Sequence, residues 1–274
     1  PMHSNTTTDQ VRQQILELAC ETACQRQTVK DTLPIRFIHQ AKRKWFSFCM
    51  ADSTGQSLTY GRALTAGIRL AKWFQNHASG QEMIGLMLPG SVGGALANLG
   101  VTLSGKVAVN LNFTAGRTSL ESAIQQCNIK TIVTSQTMLK KIGLDDLPGM
   151  VFLEDILHSI PRWKMIGTLI MAFLIPSGFL PRRIYPKRFS PNDLAAILFS
   201  SGSTGEPKGV MISHFNILSN LDAITQILGS WDNNRFCGIL PFFHSFGLTG
   251  TLWLPLVKGF GAVYHPNPME DRKS

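Results

Sequence analysis

The chain has 274 residues, and 44% of them are hydrophobic, so it can bury one large core or two ordinary ones. This composition excludes a mainly disordered chain, a collagen or a coiled coil. Lys and Arg (26) outnumber Asp and Glu (17), giving a formal charge of +9, yet only 16% of residues are charged. A basic chain of low charge density favours a membrane surface or a polyanionic ligand, and we expect no nucleic-acid partner.

The cysteines are scattered along the chain, and no two of them form a C-x-x-C pair. They are Cys20, Cys24, Cys49, Cys127 and Cys237. This spacing supports neither a disulfide framework nor a zinc site. It predicts a reducing compartment, which for this chain means the cytoplasm.

Helical and strand patterns alternate along most of the chain. Up to residue 160 we predict helices at 11–27, 61–77, 91–104 and 118–127, and strands at 45–51, 83–88, 106–112, 129–134 and 150–153. After residue 190 we predict strands at 194–199, 209–212, 236–240 and 260–264, and helices at 215–228 and 247–257, with Ser213 as the N-cap of the helix at 215–228. Short apolar runs between helical patterns predict an α/β fold with mainly parallel sheets.

An uncharged stretch, Met165 to Leu180, separates the two halves. The basic residues that flank it are Arg162, Lys164, Arg182, Arg183, Lys187 and Arg188. The stretch is too short to span a bilayer, because a transmembrane helix needs about 20 apolar residues and Pro176 interrupts the run. Two interpretations stay open: a segment that dips into one leaflet at the inner face of the cell membrane, or a core helix or hydrophobic loop that further residues cover.

The domain organisation follows from these patterns. We predict an N-terminal helix and connector at 1–44 and a first α/β subdomain at 45–160. The hydrophobic, basic-flanked insertion follows at 161–189. A second α/β segment occupies 190–274.

The most informative segment runs from a predicted buried strand through a polar loop to a second strand. It reads Ile197-Leu-Phe-Ser-Ser-Gly-Ser-Thr-Gly-Glu-Pro-Lys-Gly-Val210. Gly202 and Gly205 allow backbone N–H groups to converge, the hydroxyls add donors, and Lys208 adds a positive charge, so the loop predicts polyphosphate binding. It is not a Walker A loop, which needs G-x-x-x-x-G-K-[ST] followed at once by a helix. Pro207 argues against a nucleophile elbow.

This loop resembles the signature phosphate loop of the adenylate-forming superfamily, which includes acyl-CoA synthetases, luciferases and nonribosomal adenylation domains. Further stretches occur in the family's order, namely Leu58-Thr-Tyr-Gly-Arg, then Ile84-Gly-Leu-Met-Leu-Pro-Gly-Ser, Val107-Ala-Val-Asn-Leu-Asn and Leu240-Pro-Phe-Phe-His-Ser-Phe-Gly-Leu248. The last is similar to the family's aromatic and histidine motif at the acyl pocket. The resemblance covers about residues 45–268. It implies the N-terminal subdomains of such an enzyme, with mainly parallel sheets flanked by helices.

Within the superfamily, the segment from Arg235 to Pro268 looks most like one group. That group is the acyl-carrier-protein synthetase half of bifunctional 2-acylglycerophosphoethanolamine acyltransferases. The hydrophobic insertion before the phosphate loop also suits this membrane-linked group. An acyltransferase would need an H-x-x-x-x-D pair, whereas this sequence offers only H-x-x-x-x-E, at 77–82 and 265–270.

The resemblance implies a two-step ligase. A fatty-acid carboxylate attacks the α-phosphorus of Mg-ATP, and the thiol of acyl carrier protein or CoA then takes the acyl group from the adenylate. The residues it implies for the ATP phosphates are Ser200, Ser201, Gly202, Ser203, Thr204, Gly205 and Lys208. It implies catalytic roles for His244 and Lys208 and places Phe243, His244 and Phe246 at the fatty acid. The alternative for His244, apart from the motif, is a histidine that satisfies the end of a buried strand.

The family's ribose-binding aspartate, magnesium motif and adenine contacts follow the histidine motif, and a C-terminal lid carries a catalytic lysine. Asp222 and Asp232 lie too early in the chain to match. We therefore expect the chain to end before the lid, the Mg²⁺ ligands to lie outside it, and these residues alone not to turn over. Two alternatives stay open: a long-chain acyl-CoA synthetase of the same fold, and a noncatalytic half-domain that binds lipid or a partner.

Overall fold

Two β-sheets organise the chain in a computed structural model that describes residues 8–26, 31–143, 147–185, 190–200, 207–228 and 234–265. The strands are β1 (Phe48–Asp52), β2 (Ser57–Thr59), β3 (Met83–Leu86), β4 (Val107–Asn110), β5 (Ile132–Thr134), β6 (Met150–Phe152), β7 (Leu194–Ser200), β8 (Lys208–Ser213), β9 (Arg235–Gly238) and β10 (Gly261–Tyr264). The six-stranded sheet has the order β6-β5-β3-β4-β7-β8, and the four-stranded sheet has the order β2-β1-β10-β9. All neighbours are parallel except β7 with β8 and β1 with β2, which confirms the predicted α/β fold.

The helices lie between and around these sheets. They are α1 (Thr8–Arg26), α2 (Leu33–Arg43), α3 (Tyr60–His77), α4 (Val92–Ser104), α5 (Arg117–Gln126), α6 (Gln136–Ile142), α7 (Leu153–His158), α8 (Arg162–Leu174), α9 (Leu180–Ile184), α10 (His214–Leu228) and α11 (Leu254–Lys258), with a π-helix at Gly247–Trp253. Helix α10 starts where predicted, because the Ser213 hydroxyl accepts a hydrogen bond of 3.1 Å from the Asn216 N–H.

Some elements differ from the sequence-based expectation. The predicted connector contains α2, and the single helix expected at 247–257 is a π-helix followed by α11. Each sheet also combines strands from both predicted α/β ranges, since β1 pairs with β10 and β4 pairs with β7. The division into subdomains at residues 160 and 190 therefore stays a prediction.

Helix α4 forms the layer between the two sheets, and it contacts β1 of one sheet and β3 and β4 of the other. Almost every residue of α4 is buried. The close packing of α3 on α4 depends on Gly100, because a Cβ there would clash with the Leu70 side chain. Side-chain alternation along β4 places Ala108 in this core and Val107 and Val109 in a second core on the opposite face, under α5 and α6.

Polar contacts fix α4 in position. The buried carboxylate of Asp52, at the end of β1, accepts a hydrogen bond of 2.9 Å from the N–H of Val92 at the first turn of α4. Asn98 of α4 and Asn110 of β4 exchange two side-chain hydrogen bonds of 3.1 and 2.8 Å in the core. These bonds tie α4 to one strand of each sheet.

The Thr-Tyr stretch that resembles a family motif has a structural role. The Thr59 hydroxyl accepts from the N–H of Arg62 and caps α3. The buried Tyr60 hydroxyl lies 2.7 Å from the carbonyl oxygen of Pro255 and 3.0 Å from that of Phe260, and it donates to this pair. Tyr60 thereby joins the start of α3 to both ends of α11.

The described part of the hydrophobic insertion forms helix α8, a short turn and helix α9. In the described parts of the chain, no helix is both long enough and apolar enough to cross a bilayer. Helix α8 ends at Leu174, two residues before Pro176. It packs against α3 through a side on which Thr168 and Ala172 are buried.

Three helices meet at one carboxylate. Asp222 of α10 accepts hydrogen bonds of 2.7 Å from both the Arg36 guanidinium of α2 and the Lys258 ammonium of α11. Burial raises the pKa of Asp222, but the hydrogen bonds and positive charges of Arg36 and Lys258 outweigh it and hold the pKa below its usual value.

We expect Asp222→Asn to lower the free energy of unfolding at pH 7 by about 1.5–3 kcal/mol, because two charge-assisted hydrogen bonds are weakened, Lys258 loses the Asp222 carboxylate, and Arg36 keeps only its ion pair with Asp31. A lowered pKa stabilises the fold above the unfolded-state value of about 4, and this stabilisation is lost as the pH falls through the folded-state value. Urea titrations from pH 7 downward measure both effects.

The matched control is Glu121→Gln, which removes the exposed Arg117–Glu121 pair and should cost less than about 0.5 kcal/mol. An Asp222→Asn penalty that stayed constant down to the lowest pH would contradict the proposed role of the charge.

Candidate active site

The predicted phosphate loop joins two antiparallel strands of the six-stranded sheet. Strand β7 ends at Ser200 and β8 begins at Lys208, and these two residues pair directly across the hairpin. The Ser200 hydroxyl lies 3.5 Å from the carbonyl oxygen of Lys208, and the Lys208 side chain is exposed. The loop residues expected to bind phosphate, Ser201, Gly202, Ser203, Thr204 and Gly205, lie outside the described residues.

The loop leaves the carboxyl edge of the parallel sheet, next to the end of β4. Leu198 of β7 pairs with Asn110 of β4, so Ser200 lies at the level of the residues that follow β4. In this sheet β3 leads to β4 on one side and β5 leads to β6 on the other, so the topological switch point lies between β3 and β5. The crevice outside the strand ends at such a point is the usual ligand site of open α/β sheets.

The histidine motif follows β9 of the other sheet and reaches the same edge. The carbonyl oxygen of Leu240 lies close to Gly90, which follows β3, because a Cβ built on Gly90 would be 3.3 Å from it. The buried ring of Phe243 packs edge-to-face on Phe113, which follows β4, with 5.0 Å between ring centroids. Both sheets therefore contribute to one edge.

Of the predicted fatty-acid residues, Phe243 is buried, whereas His244 and Phe246 are exposed. The His244 ring lies against Phe243, with 4.7 Å between centroids, and its side chain is exposed. The side chain of Phe246 is 57% exposed and lies over Gly250 of the π-helix, where a Cβ would be 3.2 Å from the ring. Single π-helical turns inside helices are frequent at functional sites.

The backbone of the histidine turn is tightly constrained. The His244 N–H donates to the Pro241 carbonyl at 3.1 Å, and the His244 carbonyl accepts from the Leu248 N–H at 2.9 Å. Gly247 packs directly against the Pro241 carbonyl oxygen, so any Cβ at this position would clash with the backbone. The position of His244 therefore depends on a glycine three residues later.

The buried histidine at position 214 has a strongly lowered pKa. Burial lowers the pKa of His214 to about 4, although the negative charge of Asp193 opposes the change. His214 is therefore neutral at pH 7, and it lies at the start of α10 beneath the end of β8. Its shift has a structural origin and does not indicate a catalytic base.

Sequence patterns alone did not identify Phe113 and Gly247 as site residues. Phe113 could have been found from its position, since it follows a buried parallel strand at the edge where ligands bind. The role of Gly247 depends on its contact with Pro241, which no local pattern reveals.

The described residues contain no cluster of three or more His, Cys, Asp or Glu side chains suited to a metal ion. An exposed lysine beside a serine-lined strand end fits a nucleotide phosphate, because the lysine supplies charge and the hydroxyl supplies a donor.

Comparison with known proteins defines the class of protein. The AMP-binding enzyme family matches residues 37–273, and the chain belongs to this family. It is 25% identical to a long-chain-fatty-acid–CoA ligase of Bacillus subtilis over 80% of the chain and 44% of that ligase. It is 24% identical to the medium-chain-fatty-acid–[acyl-carrier-protein] ligase TtuA of Teredinibacter turnerae over 85% of the chain and 41% of that ligase.

A solved structure shows the same fold. A fatty acyl-adenylate ligase from L. pneumophila, in complex with acyl adenylate and pyrophosphate, superposes with a TM-score of 0.70 at 21% identity, over 89% of the chain and 41% of that protein. The chain thus spans less than half the length of each of these relatives.

We expect Gly247→Ala to destabilise the histidine turn by about 1–3 kcal/mol, because the new methyl group overlaps the backbone of Pro241. Thermal unfolding measures the loss, and the NMR signals of His244 report the displaced turn.

Gly250→Ala is the control, since the three atoms nearest to its methyl group all belong to the exposed Phe246 ring and alanine favours the helix by up to about 1 kcal/mol. Equal stability of the two variants would show that Gly247 does not constrain the turn.

Proposed function

We propose that this chain is the part of a fatty-acid ligase that binds the ATP phosphates and receives the acyl chain. In the proposed reaction the fatty-acid carboxylate attacks the α-phosphorus of ATP, pyrophosphate leaves, and a phosphopantetheine thiol then takes the acyl group from the adenylate. One observation carries the proposal, namely the meeting of the phosphate-loop hairpin and the histidine turn at one edge of the sheets. The names of relatives that act on fatty acids support the substrate class.

Each group has a chemical role in this proposal. Displacement at phosphorus requires positioning and stabilisation of negative charge more than covalent catalysis by the protein. Lys208 and the loop after Ser200 would hold the β- and γ-phosphates. His244 would lie near the carboxylate and the α-phosphate, and Phe243 and Phe246 would line the entrance for the acyl chain. Mg²⁺, when bound with ATP, neutralises phosphate charge.

The thiol acceptor is proposed to be acyl carrier protein, with the acylation of phospholipid as the use of the product. Sequence similarity to the TtuA ligase of T. turnerae supports this acceptor. The similarity to the B. subtilis ligase supports CoA as a second candidate. We further propose that the protein works at the inner face of the cell membrane and contacts it through the insertion at Met165 to Leu180.

We expect Lys208→Ala to lower the rate of fatty-acid-dependent ATP–pyrophosphate exchange by about ten- to a hundredfold, because one charge-assisted contact to phosphate is lost. The assay uses a longer protein that contains this chain and matches the full length of the relatives. The free energy of unfolding should stay unchanged, since the Lys208 side chain is exposed.

Lys130→Ala removes another exposed lysine from the surface and serves as the control for net charge. Full exchange activity in Lys208→Ala, or exchange without added fatty acid, would contradict the proposal. A preference for CoA over acyl carrier protein in the second step would select the second candidate.

A further inference from the structure

One side of helix α8 is an apolar surface that faces outward. On α8 the exposed apolar side chains follow helical spacing, and Phe46 from the turn between α2 and β1 extends the same surface. We call these residues the docking face: Phe46, Trp163, Ile166, Ile170, Phe173 and Leu174. Phe46, Trp163 and Leu174 are 80%, 69% and 70% exposed, well beyond what scattered surface residues require.

The docking face is rigidly attached to the fold. The Phe173 ring lies 5.3 Å from that of Trp45 and 6.2 Å from that of Phe46, measured between centroids. The Lys42 ammonium donates to the carbonyl oxygens of Ala172 and Phe173 and so satisfies the carboxyl end of α8. The opposite side of α8 packs on α3, so the helix presents one fixed side.

Basic residues flank the docking face along the sequence. Arg162 and Lys164 lie at the start of α8, and Arg182 and Arg183 lie in α9. Between Asp155 and Asp193 the sequence has no acidic residue. The Lys164 ammonium lies 5.3 Å from the Trp163 ring centroid, and the Arg182 guanidinium lies 5.9 Å from that of Phe179.

We propose that the docking face binds the surface of an anionic lipid bilayer, with its aromatic and aliphatic side chains among the acyl chains and the basic residues at the head groups. Aromatic residues beside basic ones are typical of the membrane–water interface, and anionic lipids of the cytoplasmic leaflet complement the charge. A second copy of the chain fits less well, because a self-complementary contact would bring the same cations together. This deepens the membrane contact proposed above and describes a helix lying on the membrane.

The test is co-sedimentation of the 274-residue chain with phosphatidylcholine vesicles that contain about one third phosphatidylglycerol. We expect binding that weakens with added salt, and little binding to phosphatidylcholine alone. Ile170→Glu should weaken binding at least about tenfold, because it places a charge in the apolar contact. Leu16→Glu on α1 is the matched control, since Leu16 and Ile170 are 57% and 53% exposed.

A second variant is designed to bind more tightly, because misfolding can explain a loss of binding but not a gain. A Cβ on Gly167 of α8 has no atom within 4 Å, so Gly167→Leu extends the docking face, favours the helix, and should tighten binding several-fold. Unchanged binding in Ile170→Glu, failure of the wild type to bind anionic vesicles, or a solution dimer that Ile170→Glu dissociates would each overturn the proposal. The assay contains neither ATP nor fatty acid, so its failure is distinguishable from failure of the Lys208 test.

Discussion

The structure depends on the burial of helix α4 between two sheets. A helix in contact with strands on both sides fixes their separation, and the glycine at position 100 lets α3 approach closely enough to complete the layer. The Asp52 carboxylate then sets the position of α4 along its axis. Because β3 and β9 belong to different sheets, the approach of Gly90 to Leu240 at the candidate site follows from this arrangement.

The secondary structure of this chain is mostly readable from its sequence, because strands buried on both faces appear as short, continuous apolar runs. Strands β3, β4 and β7 were predicted for this reason. Helix α2 was missed although its apolar residues follow helical spacing and Pro34 occupies its first turn. The π-helix was not predictable, since its pattern is that of an ordinary helix.

The residue types of the candidate site are readable from the sequence and their chemical roles stay predictions, whereas the geometry of the site was not predictable. The prediction of phosphate binding rests on the residue types of one continuous loop, and the structure places the residues at its two ends, Ser200 and Lys208, side by side. The Phe243 ring beside His244 packs on Phe113, which is more than a hundred residues away in sequence. Contacts between distant segments leave no periodic trace in a single sequence, so only the folded chain reveals them.

The pairing of β1 with β10 has a consequence for the way this protein is made. β1 ends at Asp52, and its partner begins at Gly261, so the four-stranded sheet cannot form until the ribosome has added more than two hundred residues. Pairings so far apart in sequence slow folding, because loop closure precedes the gain in contact energy. During synthesis the apolar side chains of β1 and α3 therefore stay exposed until the later strands and helices are made. In this period the nascent chain can aggregate or bind a chaperone.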